Sequence, residues 1–123
     1  MSETEARKAI ENFFTHFNAQ EGEALLDSLH YPHVRIASGR VIITPERSKG
    51  RMQFKYLIEN EGWHHSSLDS VETIHVGSDK AHFSIEFSRY HADGAKYVTH
   101  QSLWIVTKED DHWGILCRSS FAP

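Results

Sequence analysis

Three runs near the end of this chain, Ala81–His91, Tyr97–Thr107 and Trp113–Phe121, alternate in side-chain character and are separated by turn-forming segments. Period-2 alternation between turn signals marks a β-meander. One face of that meander collects Phe83, Ile85, Phe87, Trp104, Val106, Ile115 and Phe121. The same face carries Arg89, His100, Ser102, Cys117 and Ser119. A sealed core has little use for those polar groups, and a solvated face has none for those aromatics. The wall of a pocket accommodates both.

The residues before the meander supply the other elements. Ser2 with Glu5 fits a capping box, and Ala6, Ile10, Phe13, Phe14 and Phe17 form an apolar helical stripe. Glu23–Leu29 predicts a second, short helix, halted by Tyr31-Pro32. His33–Ile43 predicts a small hairpin around Ser38-Gly39, with Val34 and Ile36 facing Val41 and Ile43 roughly in register. Thr44-Pro45 opens a third helix running to about Asn60, with Gly62 as its C′ residue. A further strand, Leu68–Val76, precedes the meander. The order predicts an α+β fold in which about three helices pack on the concave face of a curved antiparallel sheet, within one domain spanning residues 1–123.

Two-residue loops at Ser78-Asp79, Asp93-Gly94 and Asp110-Asp111 set a register. They align Ile74, Phe83, Trp104 and Cys117 in one row, Glu72, Ile85, Ser102 and Ser119 in the next, and Ser70, Phe87, His100 and Phe121 in a third. A three-residue loop at Ala92-Asp93-Gly94 would flip the later strands instead. In the first register the face is dry at the Trp104 end and polar toward His100 and Arg89, as in a cone with an open mouth. The other face carries Glu86, Gln101, Leu103 and Arg118, which suits a subunit interface as well as solvent.

Charge and composition narrow the partners. The net charge is −4, with no basic run, so nucleic acid is not expected as a partner. No apolar stretch reaches membrane-spanning length, the first residues are polar rather than a signal peptide, and a single cysteine cannot form an intrachain disulfide. A cytoplasmic protein is expected. Ten histidines invite a test for a metal site. His75 and His82 pair across a hairpin on the outer face, but no third ligand follows at suitable spacing, and neither a structural metal nor a cofactor is expected.

The Phe13-Phe14 helix, the acidic helix before Tyr31-Pro32-His33-Val34, and the closing Leu103-Trp104-Ile105-Val106 and Trp113-Gly114-Ile115 strands resemble the nuclear transport factor 2-like superfamily, including its SnoaL-like and steroid isomerase-like members. The resemblance covers nearly the whole chain. It implies a conical pocket between sheet and helices and a homodimer formed through the sheet. Superfamily enzymes place an acidic residue deep in the pocket, often with His or Tyr. Here the deep rows are apolar, and Glu72 is the one carboxylate that the register puts on the pocket face.

Candidate residues follow. His100 among aromatics could serve as an acid or base, or could be a hydrogen-bonded core histidine. Glu72 is its sole partner of the right type, two strands away at ~4.8 Å per strand, beyond direct contact. Arg89 at the mouth could receive a carboxylate or phosphate, or could pair with a helix carboxylate. Trp63 could stack on a flat ligand or close the core, and Ser102, Trp104 and Ser119 would line the wall. The expected function is binding of a small, partly apolar molecule, neutral or anionic. The alternatives are a cofactor-free isomerase, dehydratase or cyclase using His100 with Glu72, and a protein-interaction module whose sheet face binds a partner.

Overall fold

A computed structural model describes residues 2–51 and 53–122. Its α-helices are α1 (Ser2–Asn18), α2 (Gly22–Asp27) and α3 (Phe54–Glu61). Its strands are β1 (Leu29–Ala37), β2 (Arg40–Thr44), β3 (His65–Val76), β4 (Lys80–Tyr90), β5 (Lys96–Glu109) and β6 (His112–Ser120). They form one curved sheet in the order β2-β1-β6-β5-β4-β3. All neighbours are antiparallel except β1 and β6, whose parallel pairing makes the sheet mixed. The α+β reading therefore stands, with that one departure from a purely antiparallel sheet.

The apolar stripe of α1 explains where the core sits. Phe13 and Phe14 meet Trp104 at centroid distances of 4.9 and 5.6 Å, the first edge-on and the second stacked. Phe83, Ile85, Val106 and Ile115 lie beneath and are almost wholly buried. Polar contacts fix the helix against β3. Arg7 donates to the Val71 carbonyl at 2.8 Å. The Asn18 side chain exchanges two 2.8 Å hydrogen bonds with the Ser66 backbone. Such charge-assisted and paired bonds set the tilt of the helix over the sheet.

The third predicted helix is two pieces. A single 3-10 turn covers Arg47–Lys49, Gly50 is extended, and α3 starts only at Phe54. A Cβ on Gly50 would stand 2.3 Å from the Leu26 side chain. A side chain at this position would require the Leu26 methyl to move and would crowd the Arg47 carbonyl at 3.2 Å. Gly62 does close α3, with a φ of +70°.

The register departs from the expected one in two strands. The β4–β5 rows are as expected, with Phe87 opposite His100, Ile85 opposite Ser102 and Phe83 opposite Trp104. The irregularity near Asp93-Gly94 is absorbed between Arg89 and Tyr90 without flipping either strand. In β3, however, shifts between Leu68 and Ser70 and between Thr73 and His75 put Val71 opposite Ile85 and Glu72 opposite Ser84. Glu72 is exposed and turned away from the core face, not on it. In β6 a shift places Ile105 opposite Cys117 and Val106 opposite Ile115, with Leu116 as the extra residue. Trp104 is consequently opposite Arg118 rather than Cys117. One extra residue exchanges the two faces of every later position. Arg118 turns inward, Cys117 and Ser119 turn outward, and Phe121 is 73% exposed.

Candidate functional site

The inward turn of Arg118 creates a site at one end of the core. A cavity of about 320 Å³ opens between α1, α3, the segment after β2, and strands β1, β2, β4 and β6. Its apolar wall includes Phe13, Phe17, Leu25, Ile42 and Leu57. Its cations are Arg35, Arg89 and Arg118 within, and Lys49 and Arg51 on the exposed segment at the rim. Among the described residues no carboxylate lines it.

Arg118 lies at the centre of the strand pairing that builds this wall. Its register partners are Trp104 on β5 and Arg35 on β1, so two guanidiniums project from adjacent strands. Its Nε donates to His33 Nε2 at 3.0 Å, and among the described residues no hydrogen-bond acceptor takes its terminal nitrogens, which border the cavity. The guanidinium lies 5.0 Å from the Phe13 ring centroid and 5.8 Å from that of Trp104, within cation–π reach. Burial, and then the neighbouring Arg35, hold its pKa down to about 9. Arg35 is lowered as well, by burial and then by Arg89 and Arg40. Loss of water around a cation disfavours its charged form, and neighbouring guanidiniums add to that effect.

His33 is buried and committed at both nitrogens. Its Nδ1 is 3.0 Å from the Ile115 carbonyl, so Nδ1 carries the proton and Nε2 accepts from Arg118. Burial, followed by the Arg118 charge, lowers its pKa to about 3. The ring is therefore neutral and acts as a strut that aims Arg118.

Arg89 has a different electrostatic position. It lines the cavity, and it also pairs with Glu61 of α3, Nη1 lying 3.1 and 3.4 Å from the two carboxylate oxygens. Glu61 also accepts from the Tyr97 hydroxyl at 2.7 Å. Burial, then the bond and charge of Glu61, raise the Tyr97 pKa. The Nε of Arg89 is buried with no partner among the described residues.

The other sequence candidates are dispersed. His100 is half-buried, tilted against Phe87 at 5.4 Å, and is not among the residues lining the cavity. Burial, then Arg89, lower its pKa. Trp63 is buried behind Phe17 and donates to Ser66 Oγ at 2.9 Å. Trp104 is core, and its indole nitrogen donates to Ser102 Oγ at 2.8 Å. Ser102 in turn donates to the Ser119 carbonyl at 2.7 Å. Ser102, Ser119 and Glu72 border a separate depression of about 400 Å³ on the outer side of the sheet, with Glu86, Gln101 and Leu103. Glu72 and His100 are not brought together. The sequence reading missed Arg118, Arg35 and His33. Arg35 alternates with Val34 and Ile36, and an apolar-inward rule turns it to solvent. In the hairpin the rule is reversed: Val41 and Ile43 are 63% and 60% exposed while Arg35 faces the cavity.

No group of three or more His, Cys, Asp or Glu is placed to hold a metal ion among the described residues. Nor is any described helix long and apolar enough to cross a membrane.

A cone-shaped α+β domain with a basic cavity at its open end is the class that this fold and site define. The chain belongs to a family of that class, NTF2-like protein (DUF6841), whose model matches residues 3–120. No curated protein matches its sequence. Solved structures match its fold. A protein of unknown function with a cystatin-like fold from Nostoc punctiforme superposes with a TM-score of 0.78 at 11% identity, covering 96% of this chain and 88% of its own. An NTF2-like protein of unknown function from Pseudomonas putida gives 0.77 at 12%, covering 98% and 86%. A Catenulispora acidiphila structure in complex with S-DNPA gives 0.74 at 10%, covering 96% and 90%. At these identities the likeness is one of fold.

Proposed function

We propose that this protein binds a small, partly apolar organic anion in its cone, with the charged group held by Arg118. One observation carries the reading: a guanidinium sits deep in the fold, beside a second one, with no carboxylate facing it from the described residues. Taking an ion out of water costs several kcal/mol unless a counter-charge is supplied. The chain has acids in excess, 17 against 13 Lys and Arg, and places none of those described in the lining. A ligand carboxylate or phosphate would supply the missing charge and pair with the two free terminal nitrogens. Phe13, Phe17 and Leu57 would cover an apolar body. A volume of about 320 Å³ suits a small molecule. The S-DNPA complex of the Catenulispora acidiphila neighbour is in keeping with this use of the fold.

Binding is favoured over proton transfer because His33 has both nitrogens engaged. The test is a thermal-shift panel of aryl and alkyl carboxylates, each beside its neutral amide. Carboxylates should raise the melting temperature and amides should not. At a hundredfold excess over Kd the gain is about 2.7 kcal/mol. Equal shifts for each acid and its amide would remove the guanidinium wall from the explanation.

The same proposal includes a homodimer through the outer sheet face, where Leu103 and Ile74 are 54% and 44% exposed among polar neighbours. Leu103→Lys is expected to convert a dimer to a monomer in sedimentation velocity. A parent that already sediments as a monomer refutes it. A single cysteine, Cys117, supports a reducing compartment such as the cytoplasm.

A further inference from the structure

Far along the sheet from the cone, the β3–β4 hairpin brings two imidazoles together on its outer face. His75 and His82 are register partners, their Nδ1 atoms are 3.3 Å apart, and their ring centroids are 5.4 Å apart with planes at 87°. Neither ring has another partner among the described residues. Two neutral imidazoles meeting through Nδ1 can hold one proton between them, and 3.3 Å is long for that bond. The same separation suits a shared ion. Nitrogens bound at about 2.0–2.1 Å to one tetrahedral metal ion stand roughly 3.3 Å from each other. The ladder holds the pair in place, with Thr73 opposite Phe83 on one side and Val76 opposite Ala81 on the other. Thr73 is itself tied to α1, accepting from Arg7 at 3.1 Å and donating to Glu3 at 2.8 Å.

We propose that His75 and His82 form a two-ligand surface site for a divalent transition-metal ion, with water completing the coordination shell. Imidazole nitrogen is a borderline ligand, and the general affinity order places copper(II) above zinc(II); a tetragonal copper shell, with cis nitrogens about 2.8 Å apart, draws the two surface rings together by about half an ångström. Two further histidine pairs are poorer chelates: His30 and His112 meet edge-on at 5.2 Å with His30 Nδ1 bonded to Thr107 at 2.8 Å and His112 Nε2 to the Asp27 carbonyl at 3.2 Å. His64 and His65 have Nδ1 atoms 3.1 Å apart, but they are consecutive residues, and His65 is stacked flat on Tyr90 at 4.7 Å. Engaging an ion there would pull His65 off that stack.

The test adds copper(II) alone to the full chain, followed by calorimetry and by electron paramagnetic resonance in frozen solution. One copper per chain with two nitrogen ligands is expected. His75→Ala and His82→Ala should each weaken binding about tenfold or more, and His82→Asn, which keeps a polar surface, should repeat the loss. His64→Ala should titrate like the parent, and zinc(II) should compete only at higher concentration. Parent-like titration in His75→Ala and His82→Ala overturns the site, as does a one-nitrogen spectrum in the parent or loss of binding in His64→Ala.

Discussion

Arg118→Met should lose the anion and gain stability at once. Removing one partner of a buried charge pair costs about 2–5 kcal/mol of binding, which is a loss of roughly 30-fold to several thousandfold in Kd. Stability should move the other way. The guanidinium is charged and partly buried with no acid facing it among the described residues, and burial pushes its pKa down to about 9. Methionine fills comparable space without a charge, and replacing buried ionic groups by packed apolar ones gives gains of about 1–4 kcal/mol. Against this stands the lost bond to His33, worth ~1 kcal/mol. The net expectation is a higher urea midpoint with an unchanged slope. Burial holds the folded pKa of Arg118 below its ordinary value while the guanidinium stays charged, so the advantage of the variant should persist from neutral to mildly alkaline pH. A variant that unfolds more easily than the parent while keeping its carboxylate-induced shift would make Arg118 a structural residue.

The paired gain and loss bears on function because a residue kept only for packing would not show it. Arg89 provides the internal contrast. It faces the same cavity, but Glu61 already neutralises it, and Tyr97 holds Glu61 in place. Two arginines on one cavity thus have different duties, set by whether α3 sends an acid to meet them.

Much of this was legible in the chain. Alternation in β4 and β5, the turns that join them, and the Phe13-Phe14 stripe fix the core rows that the structure shows. The bulges were not legible. Leu116 and the extra residues of β3 break no composition rule, and their effect is to exchange faces. They took Glu72 out of the core-facing set and brought Arg118 in. β3 is tied to α1: Arg7 reaches the Val71 carbonyl from 64 residues away in sequence. The parallel pairing of β1 with β6 is equally non-local, and it alone sets Arg35 beside Arg118. A site built from strands distant in the chain and aligned through a bulge has no local signature.

Acid should destabilise this protein through His33 before its carboxylates titrate fully. The histidine is 2% exposed, and its pKa falls from 6.5 to about 3 through burial first and Arg118 second. A depressed histidine keeps its full contribution above pH 6.5. Between there and about pH 3 the unfolded chain takes a proton that the folded one refuses, so stability falls as pH falls. The slope approaches about 1.4 kcal/mol per pH unit, or about 2–3 kcal/mol between pH 7 and 4.5 for this residue. His30 and His100 are lowered too, each mainly by burial, and add in the same direction. His33→Gln separates the contributions. A glutamine amide can donate to the Ile115 carbonyl and accept from Arg118, but it does not titrate. Urea unfolding at pH 7, 6, 5 and 4.5 should give the variant a shallower decline, and parallel curves would show that His33 is not the sensor. Ligand enters the same balance. An anion on Arg118 would also stabilise a protonated His33, raising its folded pKa toward the unfolded value. Carboxylate-bound protein should then resist acid better than empty protein by a margin that grows from pH 6 downward while the ligand remains ionised, and that pH-dependent margin should vanish in His33→Gln.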